Sequence, residues 1–215
     1  MKRLNERRQG GVAMLVVLVF TLALTGIAIV SARLALLGES VARNQLDLQV
    51  ARQAAEAALR DAEKDLMIAD GAAAFPGAPC TRGIERPVMA QTVQFTKGCA
   101  RGQCLFDQKT RQQVDFTKAS PTQQDSAEAW WPEDRGGRWG NAGKDVSNCG
   151  AFDGGVPLGT FTGARPIQGV QFQPEYLIEA ILRGEDTYFR VTARGFGYRA
   201  ATEVVLQSYF QVPQL

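Results

Sequence analysis

From Gly10 to Ala32 no residue carries a charge, and the chain then continues without a proline into a second helix-forming stretch that reaches Asp70. At 1.5 Å rise per residue, about 20 apolar residues cross the core of a bilayer. Lys2, Arg3, Arg7 and Arg8 precede the run against one acid, Glu6. That asymmetry keeps the N-terminus cytoplasmic and sends the rest outward. Val30-Ser31-Ala32 resembles a signal-peptidase site, yet the apolar core is longer than a secretory signal needs. A lipoprotein anchor fits less well, because no cysteine follows the run to be acylated.

The second stretch, Gly38 to Asp70, is rich in Ala, Leu, Glu, Arg and Gln. Leu48, Ala51, Ala55, Ala58, Ala62, Leu66 and Ala69 recur at steps of three or four and form one apolar stripe. Arg52, Glu56, Arg60, Glu63 and Lys64 lie largely off it, and Glu56 stands four residues before Arg60, the favoured order for a helical ion pair. Asp70-Gly71 and then Pro76 end the pattern. The spacing therefore predicts one helix from about Val12 to about Asp70, about 85–90 Å long. Gly26 and Gly38 are its candidate soft points. An alanine stripe admits a flat neighbour, such as a sheet.

The net charge of the 215-residue chain is only +2, which gives no basic field for nucleic acid. There is no histidine, so the commonest general base and metal ligand are missing. The four cysteines, Cys80, Cys99, Cys104 and Cys149, all follow the apolar run. They read as two disulfides in an oxidising compartment, with three pairings open. Zinc is the rival reading, weakened by the absence of a CxxC pair and of histidine.

Gly and Pro concentrate after residue 70, where strands and loops take over. Thr187 to Gly197 alternates Phe189, Val191 and Ala193 with Tyr188, Arg190, Thr192 and Arg194. Ala201 to Val212 alternates Val204, Leu206 and Phe210 with Glu203, Gln207 and Gln211. Tyr176 to Leu182 precedes them through the turn Gly184-Glu185-Asp186. These three segments predict an antiparallel meander whose apolar face covers the alanine stripe. Gln91 to Lys97 is a weaker fourth strand. Residues 120–165 read as a long loop insertion holding Trp130, Trp131 and Trp139 with Arg135 and Arg138. That composition suits a partner interface. The plainer reading is that the rings pin the loop to its own core, with Arg stacked on them.

Several motif matches fail on context. Gly195 to Ala200 fits G-x-G-x-x-A but lies in a hairpin, with no helix N-terminus for a pyrophosphate. Near Gly143-Lys144, Arg138 occupies the place of the first glycine of a P-loop and Asp145 that of its Ser or Thr. Glu133, Asp134 and Asp153 are calcium-type ligands without the required spacing. No catalytic, metal or cofactor site is expected, and a structural, non-enzymatic protein is.

A short basic leader ending in glycine, followed at once by an apolar helix, resembles a type IV prepilin. Leu18-Val19-Phe20 and the segment Arg43 to Glu63, RNQLDLQVARQAAEAALRDAE, resemble the PilX group of minor pilins over about residues 8–65. The resemblance implies an α+β pilin-like fold: a long N-terminal helix packed on a small antiparallel sheet with disulfide-tethered loops. It implies a cleaved leader (1–11), a transmembrane and filament-core helix (12–32), its amphipathic continuation (33–70) and a periplasmic β domain (71–215). Cleavage would follow Gly10 or Gly11, with Gly11 favoured, leaving Val12 as an N-terminus open to methylation. Major pilins carry Glu as the fifth mature residue, held to pair with a neighbour's terminal amine; here that residue is Val16. An unpaired charge in an apolar bundle costs several kcal/mol, so a subunit lacking the acid leaves a neighbour's amine unneutralised.

The implied partners are the prepilin peptidase, other minor pilins, the major pilin, the inner-membrane assembly platform and a PilY-type tip adhesin. The implied location is the inner membrane, then the pilus. The rival expectations are a membrane-anchored or exported periplasmic binding domain, and a minor pseudopilin of type II secretion.

Overall fold

The computed structural model describes residues 11–67, 75–82, 95, 99–106, 128–140, 149, 153–183 and 186–211. Helix α1 spans Val12–Met67, and five strands follow: β1 Gln103–Phe106, β2 Val156–Pro157, β3 Glu175–Arg183, β4 Asp186–Phe196 and β5 Glu203–Gln211. A short 3₁₀ turn occupies Glu133–Arg135. The chain divides into two units, Met1–Leu46 and Asp47–Leu215. Within the first, the described residues are helical and their apolar side chains are exposed.

In the second unit the helix lies on the sheet. Ala51, Ala54, Ala55, Ala58, Ala62 and Leu66 are buried. The larger of the two cores joins Ala58, Ala62 and Leu66 to Tyr176, Ile178 and Ala180 of β3 and to Phe189, Val191 and Ala193 of β4. Phe95 packs there too, its ring 5.7 Å from that of Phe189. The expected fourth strand, Gln91 to Lys97, otherwise lies outside the described residues, as does Ala69 of the stripe. Alanine on the helix and glycine on the strand let the two backbones meet: a Cβ added at Gly195 would overlap the Ala55 nitrogen and the Ala51 carbonyl oxygen.

The strand order is β1-β3-β4-β5, with β2 also paired to β3. The β3–β4–β5 meander is antiparallel, as its alternation implies. The sheet as a whole is mixed, because β1 runs parallel to β3. That strand is four residues long and contains Cys104, too short for a period to show.

Two local expectations are corrected. Leu48, placed on the buried stripe, is 50% exposed. Strand β4 ends at Phe196, and at this level the turn beyond it reaches only Asp47. Glu56 accepts from Arg52 at 3.2 Å rather than from Arg60. On the second face of β4, Arg190, Thr192 and Arg194 are buried as well.

Substituting Gly195→Val is expected to push α1 off β4 and cost about 1–3 kcal/mol, the usual range for overpacking. Denaturant unfolding of the full-length chain in detergent micelles, followed by circular dichroism, measures it. An unchanged midpoint would contradict the close contact.

Candidate functional site

Two regions carry features beyond ordinary packing: the apolar start of α1 and the charged groups buried around the sheet. Gly11 lies in the turn before α1 and Val12 is its first residue, while Gly10 lies outside the described residues. Val16 is 56% exposed on the helix. Apolar side chains are exposed along this part of the helix from Val12 to Leu37. Its hydroxyls turn inward: Thr21 donates to the Leu18 carbonyl, and Thr25 to those of Thr21 and Leu22. That removes the polar groups an apolar solvent would leave unsatisfied. The helix is long and apolar enough to cross a membrane.

The second half of α1 carries three buried carboxylates. Asp65 receives the guanidinium of Arg82 through Nε at 2.8 Å and Nη2 at 2.6 Å, and the Tyr176 hydroxyl at 2.8 Å. The Arg82 guanidinium also lies 3.9 Å from the centroid of the Phe161 ring and donates to the Arg101 carbonyl. Burial pushes the Tyr176 phenol well above its usual 10, with Asp65 adding to the effect, so the hydroxyl stays a donor. Asp61, one turn earlier, accepts from the Gly159 nitrogen at 2.7 Å and from the Thr162 hydroxyl. Burial raises its pKa above 3.8, against the lowering effect of those two bonds. Asp47 accepts from the Thr202 hydroxyl and the Tyr198 nitrogen, both at 2.6 Å, and these bonds, Thr202 first, hold its pKa below 3.8.

On the far face of the sheet the side chains pair across β3 and β4. Arg194 bonds Glu175, and Arg190 bonds Glu179 at 2.7 and 2.8 Å. Residues 128–140 lie against this face. Glu128 accepts from Arg190 at 2.5 Å, and Glu133 from Arg194 at 3.3 Å.

The candidate interface residues separate. Trp139 is buried, donates to the Trp130 carbonyl at 2.9 Å and receives the Arg194 guanidinium 4.8 Å from its ring. Trp130 is half-buried and donates to Glu128. Trp131 and Arg138 are also half-buried, and Arg135 is exposed. The cation over the buried ring comes from the sheet, and neither Arg135 nor Arg138 supplies it. The rings of Trp130 and Trp139 thus pin the loop to its own domain.

The disulfides join Cys80 to Cys149 and Cys99 to Cys104. The first ties the segment carrying Arg82 to a residue 69 positions away. The second closes a turn in which Cys99 and Arg101 both adopt positive φ. Among the described residues no group of three acidic or cysteine side chains is arranged to hold a metal. The buried pairs were not legible in sequence. Asp65 and Arg82 are 17 positions apart in sequence, and nothing local marks either as buried.

A family model, type IV pilus assembly protein PilX C-term, matches residues 101–212, just over half of the chain. No curated protein and no solved structure matches. The matched segment begins beside Cys99 and contains all five strands, both Glu–Arg pairs and the pinned loop.

Arg82→Met is expected to leave the Asp65 carboxylate buried without its cation, costing about 3–5 kcal/mol. The double substitution with Asp65→Leu should recover most of that loss in denaturant titrations. The two other aspartates give opposite acid limbs. A carboxylate held below its usual pKa contributes stability that is lost as pH falls through its folded value. Asp47→Asn is therefore expected to flatten the loss of stability below pH 3.8. A raised carboxylate carries a penalty that is relieved as pH falls through its folded value. Asp61→Asn should accordingly remove a gain in stability on acidification that begins above pH 3.8. Denaturation midpoints across pH, wild type against each variant, check both signs.

Proposed function

The chain belongs to the PilX family of type IV pilus assembly proteins, and on that premise we propose that it is a minor pilin acting in a tip-proximal priming complex. The observation carrying this reading is that one unbroken helix, Val12–Met67, joins an exposed apolar half to a half packed beneath a PilX-type sheet. In this reading residues 1–11 are a leader removed by the prepilin peptidase. Val12 becomes the N-terminus and is methylated. Residues 12–32 rest in the inner membrane and then enter the filament core. Residues 33–70 continue the helix into the periplasmic domain, 71–215. The role is structural, and its effects on adhesion and twitching motility are indirect. The partners are other minor pilins, the major pilin, the assembly platform and a PilY-type adhesin.

Val16 supports the restricted placement. Without an acid there, the subunit offers no carboxylate to a neighbour's amine within the apolar core, which disfavours repetition along a shaft.

Intact mass and N-terminal sequencing of the mature protein test the processing. An N-terminus at Val12 is expected. One at Arg33 indicates an exported domain, and an uncut Met1 a simple anchor. Introducing Val16→Glu is expected to change where, and in what proportion, the subunit enters filaments, as read by immunogold labelling. Equal placement of variant and wild type would defeat the positional argument.

A further inference from the structure

Strand β5, Glu203–Gln211, is hydrogen-bonded to β4 along one side. Among the described residues nothing bonds its backbone from the other side. Its residues alternate between exposed and half-buried over the full length, so neither face is sealed. Edge strands that stay single are usually guarded by lysine, proline or an inward charge. This one has no Lys, Arg or Pro, and its single charge, Glu203, sits at one end, 3.8 Å from Arg194.

A second observation is independent of the backbone. Beyond Leu48, the exposed large apolar or aromatic side chains among the described residues are Tyr198 at 52%, Val205 at 39% and Tyr209 at 61%. Val205 and Tyr209 project from one face of β5, and Tyr198 lies in the turn that leads into it. Among the described residues, the exposed apolar surface of the sheet unit therefore collects along its open edge.

We propose that β5 is a docking edge that takes up an extended segment of a different protein chain as an added strand. The row of backbone donors and acceptors requires an extended peptide, and Val205 and Tyr209 require apolar residues beside them. Glu203 favours a neutral or basic residue at its end.

A second copy of this chain fits less well. Two β5 strands pairing antiparallel are related by a twofold axis normal to the sheet. The part of α1 that lies flat on that sheet would then run in opposite directions in the two copies. The Asp47 ends of the two packed helices, from which the chain leads to its apolar segment, would then lie at opposite ends of the joined sheet, which suits a shared anchoring surface poorly, a step that rests on the anchored reading above. Parallel pairing of the same two edges turns one copy over, so the two packed helices would lie on opposite faces of the joined sheet.

The test uses the full-length chain in detergent micelles and a synthetic nonapeptide of alternating valine and threonine with an N-terminal lysine. The control is the same peptide N-methylated at every residue. Amide hydrogen exchange over residues 203–211, read by mass spectrometry, is expected to slow about tenfold or more with the first peptide and not with the second. The Val205→Lys chain should lose that response without a change in thermal unfolding, because the Val205 side chain makes no polar contact, whereas the Tyr209 side chain is hydrogen-bonded with Arg190. Tyr209→Ser serves as a milder variant and should weaken it. No slowing, or equal slowing by both peptides, would overturn the docking edge. Slowing that grows with protein concentration in the absence of peptide would assign the edge to a second copy instead. The N-terminus of the mature protein is a separate readout, so failure of the membrane reading is recognised independently.

Discussion

The contact on which the sheet unit depends is backbone to backbone, between one turn of α1 and the Gly195 end of β4. Alanine at positions 51, 55, 58 and 62 keeps the helix surface flat enough for the strands to approach. Dispersion and desolvation gains fall off steeply with a gap of an ångström or less, so this closeness gives small side chains cohesive value. It also leaves little room for error, and the flank of the helix is fastened by polar groups. Asp47 holds the β4–β5 turn, Asp61 the segment after β2, and Asp65 the segment before β1. Three carboxylates on one helix thus secure three stretches that have no regular structure of their own.

Much of this was legible, because period is a local property. The helix start, the meander strands and the stripe from Ala51 to Leu66 follow from residue spacing alone. What escaped was set by residues distant in sequence. Arg190 and Arg194 alternate with apolar residues, and a loop some 60 residues earlier covers them. Leu48 has the right period and the wrong level, since the strand that would cover it has ended. Strand β1 is recognisable only through its partner β3. The tryptophan loop was decided by which arginine stacks on Trp139, and that arginine, Arg194, lies on a strand.

Along α1 the same backbone carries two kinds of surface. From Val12 to Ala32 the helix is apolar at the surface, and its threonine hydroxyls bond its own carbonyls. In the Asp47–Leu215 unit it buries alanine and meets charge with charge. The folded sheet unit needs support under its sheet, and the apolar half needs surroundings that tolerate it.

The two Glu–Arg pairs on the far face stand directly opposite each other in the β3–β4 ladder, Glu175 across from Arg194 and Glu179 across from Arg190. A slip of the hairpin by two residues would keep every side chain on its own face of the sheet, so the apolar pattern alone does not forbid it. The same slip would set Glu175 opposite Thr192 and Glu179 opposite Tyr188, leaving both arginines without their carboxylates. A slip by four restores one pair and loses the other. The buried charges therefore act as a vernier: they add little cohesion over a packed apolar face, yet they separate the correct alignment from its nearest imitators.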